Sequence, residues 1–241
     1  TTMPEAMLRI VSPPMADFFE SYVSVRQHVL VRFGKWHEII AQDLPADRDL
    51  YCNTVAMIHY AKGVAHAALG DVAAAAAEQA LFRAAAKRVP KSRYIHNVSC
   101  LQLLAVAEEM LEGEIAYRRR EHDAAFVRLR AAIALEDDLP YDEPWGWMQP
   151  IRHALGALLL EQGRVAEAEV AYREDLGLGG ALPRAQIHPD NLWALRGLLD
   201  CLERRGETAE AALIRQRVVF AAARADVPVA VSCFCARGEA A

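Results

Sequence analysis

The sequence predicts an all-α protein built from packed helical hairpins, and three observations carry that expectation. The chain is 54% hydrophobic but only 7% aromatic over 241 residues. Alanine supplies most of the apolar excess, and it is the strongest helix former. Strand patterning is nearly absent: only 227–232 is β-like, and Pro228 interrupts it, so an extended, docked tail is expected there. Glycines also recur just after apolar helical stretches, where a left-handed residue ends a helix.

Composition excludes several classes. With 13 glycines and 11 prolines, the chain is neither collagen-like nor of low complexity. A net charge of −5 with so high an apolar fraction excludes intrinsic disorder. It also provides no general basic footprint for nucleic acid. The densest basic run, Arg118-Arg119-Arg120, is followed at once by Glu121 and reads as a solvated helix face. No run approaches the about 18 apolar residues of a membrane span; Glu78, Gln79 and Arg83 interrupt the alanine-rich segment 72–86. The first residue is Thr1, and the start lacks a basic region followed by a hydrophobic one, so a processed, trimmed or partial chain is expected. Five scattered cysteines do not form a disulfide framework. Cys52, Cys100 and Cys201 read as buried free thiols, and reducing, cytoplasmic conditions are the simplest expectation.

In chain order, a helical stretch over 17–33 ends at Gly34, and a short second helix runs over 36–42. The clearest unit follows later, at 149–176. There Leu155-Gly156 precedes Gly163 by seven residues, Ala168 follows after five, and Tyr172 after four more. Gly156 lets its helix approach a partner closely, Gly163 turns the chain, Ala168 sits at the crossing and Tyr172 fills the space beyond. Gly63, Gly70 and Ala75 repeat the spacing. So do Gly113 and Ala125, with Arg120 in place of the turn glycine, and Gly206 with Ala211. Units therefore start near 20, 56, 106, 149 and 192, with long loops at 43–50, 89–96, 137–148 and 177–191.

This spacing resembles the tetratricopeptide (TPR) repeat. The blocks His28-Val29-Leu30-Val31-Arg32-Phe33-Gly34-Lys35-Trp36, Leu139-Pro140-Tyr141-Asp142-Glu143-Pro144 and Ser232-Cys233-Phe234-Cys235 resemble the C-terminal half of a bacterial family of longer TPR proteins. The resemblance implies a TPR-like right-handed superhelix of antiparallel hairpins over 1–225, followed by an extended cysteine-containing tail at 226–241. It also implies a partner: a peptide, another protein, a separate N-terminal half or a second copy of the chain.

In that family the first helix of each hairpin lines a concave groove. Mapped onto this sequence, the groove residues are His28, Arg32, Tyr60, Tyr117, His153, Trp193 and Arg196. Aromatic anchors mixed with arginine suit an extended peptide or a small carboxylate ligand, which arginine grips with paired bonds.

Two further clusters carry candidate chemistry. Segment 136–147 combines five acids with three aromatics, among them Asp142, Glu143, Trp145 and Trp147. Clustered carboxylates suit a hard cation, but the alternation of a calcium loop is absent, so a structural loop with its aromatics packed at the groove mouth is expected. Cys233 and Cys235 lie two residues apart, with His188 in a loop as a third candidate ligand. They define an alternative metal site for copper or zinc, or a redox pair. His59 and His66, seven apart, lack the spacing of a helical metal pair. Gly177-Leu178-Gly179-Gly180 is not followed by Lys-Ser/Thr, which excludes a phosphate loop. No nucleophile elbow is present. The sequence thus predicts a binding module first, a metal or redox protein second, and an enzyme using the groove third, with no catalytic set defined.

Overall fold

The computed structural model describes residues 5–10, 14–180 and 182–236. These are mostly helical and divide into two compact units, one reaching to Gln149 and the other starting at Pro150. The boundary expected at 225/226 does not coincide with this division, and the described part of the tail groups with the second unit.

The first unit opens with the short helices α1 (Glu5–Leu8) and α2 (Ala16–Phe19), a 3-10 turn over Glu20–Ser24, α3 (Val25–Arg32) and α4 (Trp36–Ile40). Two long hairpins follow. Helices α5 (Cys52–Ala68) and α6 (Val72–Ala86) pack together, as do α7 (Cys100–Arg118) and α8 (His122–Asp137), and α5 lies beside α7. Local chemistry sets the helix starts. Asp71 accepts from the Ala74 amide ahead of α6, and Ser99 with Gln102 forms a capping box at α7, each satisfying amides that an α-helix leaves unpaired.

Small residues set the close approaches. A Cβ at Gly63 would stand 2.8 Å from Leu111, and one at Gly113 2.9 Å from Leu129. Ala75 and Ala125 are fully buried at the crossings. Arg120 adopts φ 65°, the left-handed conformation that the missing turn glycine would have provided.

A feature unanticipated in the sequence joins the two hairpins. Strands β1 (Tyr94–Ile95) and β2 (Val98–Ser99) form a minimal antiparallel ladder, pairing Tyr94 with Ser99 and Ile95 with Val98. His96 sits at its turn with φ 52°. Next to it, buried Arg93 donates to Asp17 at 2.9 Å and to the Leu50 carbonyl at 2.9 Å, tying this segment to α2 and the 43–50 loop.

The second unit contains α9 (Ile151–Glu161) paired with α10 (Val165–Asp175), and α11 (Leu192–Arg205) paired with α12 (Thr208–Ala222). A 3-10 turn at Arg184–Gln186 interrupts the loop between them, and another at Phe234–Ala236 packs against α9. Gly163 and Gly206 take positive φ at the two hairpin turns, and Ala168 and Ala211 are buried at the crossings. No helix among the described residues is long and apolar enough to cross a membrane.

Candidate functional site

The second unit assembles a site around one ring. Helices α9 and α11 lie side by side, and a Cβ at Gly156 or Gly197 would come within 2.3 or 2.2 Å of the Tyr172 ring. The ring therefore fills the space that both glycines leave open. Its hydroxyl lies 2.5 Å from the Ser232 hydroxyl, which in turn donates to the His153 carbonyl at 3.2 Å. Ser232 has one proton and gives it to that carbonyl, so Tyr172 donates to Ser232. Burial pushes the Tyr172 phenol up, well above its ordinary range, which keeps it a donor. The tail thus crosses α9 with Ser232, Cys233 and Cys235 buried, and Phe234 meets Trp193 of α11 edge-on at 5.9 Å.

Next to the tail is a cleft of about 380 Å³, lined by Ala157, Leu160, Arg196, Asp200 and Arg204 together with Ala230 and Val231. Its two arginines differ. Arg204 is engaged by Asp200 at 2.9 and 3.0 Å and by the Leu160 carbonyl at 2.9 Å. Arg196 is exposed and makes no hydrogen bond or ion pair among the described residues. Of the expected groove residues, Arg196 lines this cleft and is exposed, while Trp193 is half-buried against Phe234.

The others are placed differently. His153 is fully buried, and its Nε2 lies 2.9 Å from Asp175. The other Asp175 oxygen lies 2.9 Å from His188 Nδ1, and the Asp175 carbonyl accepts from the His188 amide. Burial alone would raise the Asp175 carboxyl. The two imidazoles, His153 foremost, outweigh it and hold the group below the ordinary carboxylate range. This arrangement clamps the 177–191 loop onto α10.

The expected copper or zinc set is not assembled. Cys233 and Cys235 are joined as a disulfide, His188 is committed to Asp175, and no group of three metal-competent side chains occurs among the described residues. The remaining cysteines, Cys52, Cys100 and Cys201, are buried free thiols as expected.

In the first unit, His28 and Tyr60 are core residues instead of groove anchors. Trp147, buried at the end of the acidic loop, meets His28 edge-on at 4.8 Å and Tyr60 at 5.6 Å. Burial lowers the His28 imidazole to about 4 and raises the Tyr60 phenol. Tyr117 is likewise buried, against Phe126 and beneath the Arg118 guanidinium at 5.3 Å. Arg32 is half-buried.

The acidic loop behaves as a structural element with one polar centre. Asp142 is buried and accepts from the Glu143 amide, while Glu143 is exposed and takes a bond from the Tyr141 hydroxyl. Trp145 is exposed. The Asp142 carboxylate also lies 2.8 Å from His96 Nδ1. Sequence reasoning missed His96. The available signal was its place in a polar His-Asn pair between apolar Ile95 and Val98, a short hairpin pattern.

No family model, curated protein or solved structure matches the chain.

Proposed function

We propose that the chain is a TPR-like helical-repeat binding module, and that α9 and α11 form a groove for an extended peptide. The observation that carries this reading is the seating of the chain's own tail. Residues 230–236 run across the first helices of two successive hairpins, anchored by a buried serine and an aromatic contact. A surface that seats one irregular segment through a hydroxyl-to-carbonyl bond and an aromatic contact has the chemistry to seat another. The hairpin spacing, the turn residues at φ near 70° and the buried alanines at the crossings support the repeat assignment.

Arg196 defines what such a peptide brings. It is the cleft arginine left without an intrachain partner, so it favours a ligand carboxylate. The disulfide closes a small loop within the tail, and its burial argues against exchange with a large thiol substrate.

The test is selection of peptides from a random displayed library on the full chain, compared with Arg196→Glu. Because Arg196 is exposed, the substitution leaves the fold intact. Acidic peptides that lose about tenfold or more in affinity on Arg196→Glu, about 1.4 kcal/mol, support the proposal. No enrichment, or ligands indifferent to the variant, overturns it.

A further inference from the structure

The first unit contains a second cleft, of about 230 Å³. Its walls come from the 3-10 turn and α3 (Tyr22, Val25), from the β1 end (Ile95) and from the acidic loop (Pro144, Trp145, Met148). The lining is almost wholly apolar; its side chains able to hydrogen-bond are Tyr22, Trp145 and the pair His96 and Asp142. At about 30 Å³ per water molecule the cleft holds on the order of eight waters, the size of a single-ring organic molecule.

The pair is built to present one atom. Asp142 is buried, and its oxygens accept from the Glu143 and Asn97 amides at 3.1 and 3.4 Å. A carboxylate held by amide donors acts as an acceptor, so His96 Nδ1 carries the proton and donates to it at 2.8 Å. Nε2 is then left with its lone pair and has no partner among the described residues. The ring itself is fixed. Tyr22 meets it edge-on at 6.2 Å. His96 also holds a left-handed backbone, φ 52°, a conformation that costs a non-glycine residue about 1 kcal/mol or more and clusters at ligand sites. Yet the imidazole is 56% exposed, although its carboxylate partner is sequestered.

We infer that this cleft is a binding site for a small aromatic molecule bearing a hydroxyl group, of the phenol class. The ring packs between Trp145 and the aliphatic walls, and its hydroxyl donates to His96 Nε2. A buried anion directly behind the imidazole makes Nε2 a better acceptor and disfavours an anionic ligand. A hydroxyl donor therefore binds more tightly than a carboxylate of the same size. This site lies within the first unit and does not depend on the groove of the second, so failure of either proposal leaves the other standing.

The test uses the full chain with p-cresol, toluene and benzoate as probes at pH 8, followed by NMR of the histidine ring nitrogens and tryptophan indoles. A ligand of this size in a well-formed pocket reaches a Kd on the order of 0.1–1 mM. p-Cresol is expected to shift His96 Nε2 and the Trp145 indole, to bind at least fivefold tighter than toluene, and to outcompete benzoate. His96→Asn suits the left-handed turn and keeps a donor for Asp142. It is expected to weaken p-cresol about tenfold while leaving toluene unchanged, and Trp145→Ala to weaken both. Absence of p-cresol shifts at about 10 mM, benzoate binding as tightly as p-cresol, or affinity indifferent to both variants each overturns the inference. The wild-type shifts keep the test decisive if a variant misfolds.

Discussion

Tyr172 shows how one residue ties together several parts of the second unit. Its ring fills the space over Gly156 and Gly197, and its hydroxyl holds Ser232 of the tail. Both glycines are required by contact and not by backbone conformation, since an added Cβ would penetrate the ring. Gly197→Ala is expected to destabilise the protein by about 1–3 kcal/mol, the usual cost of overpacking. Combining it with Tyr172→Leu should give less than the sum of the two single losses, because the smaller side chain makes room for the new methyl. Urea unfolding of the two single variants and the double variant measures this; strict additivity would show that the contact is not the cause. At the same scale the sequence was informative about small residues and silent about large ones. Ala75, Ala125, Ala168 and Ala211 could be placed at crossings because a local spacing rule demands a small side chain there. Tyr60, Tyr117 and His153 could not be assigned to core or surface by the same rule, since what covers them comes from distant parts of the chain.

Among the helices, turns are where sequence and structure agree most closely. The hairpin turn between α5 and α6, that between α9 and α10 and that between α11 and α12 each use a glycine at positive φ, while the turn between α7 and α8 forces Arg120 to φ 65°. An L-residue in the left-handed region costs about 1 kcal/mol that glycine avoids. Arg120 is exposed, so Arg120→Gly removes the strain without removing packing. Glycine also gains entropy in the unfolded chain, which offsets part of the benefit. The expected net effect is stabilisation by about 0.5 kcal/mol, read as a rise in the urea midpoint with unchanged slope. A lower midpoint would contradict this account of the turn. The β1–β2 ladder was illegible for the opposite reason: two-residue strands carry no alternation to detect, and the register is held by tertiary neighbours such as Arg93.

For the whole molecule, two buried groups contribute to acid sensitivity. His28 is held neutral, its imidazole lowered to about 4 from an ordinary 6.5. The unfolded chain therefore binds this proton more readily between those values. The stability contribution is complete above pH about 6.5 and is lost as the pH falls towards about 4, by about 3 kcal/mol in all. Asp175 is displaced in the same sense, below its ordinary carboxylate range, so its contribution holds above that range and is lost at still lower pH. Thermal unfolding at pH 7.5 and pH 5 should show a clear loss in the wild-type protein. His28→Gln should flatten the change within the upper window, whatever its own effect at neutral pH. An unaltered pH dependence in that variant would remove His28 as the cause.

The sequence by itself determined the all-helical class, the positions of the hairpin turns and the small residues at the crossings. Those features rest on backbone sterics and on spacings of a few residues, which are local properties of the chain. Only the tertiary structure decided which helix faces are open. Trp147 folds from the acidic loop onto His28 and Tyr60, the tail lays Ser232 across the His153 carbonyl, and Asp142 reaches His96 across 46 positions. Burial of a side chain and the pairing of a histidine depend on segments brought together by packing, and no local pattern encodes which segment arrives.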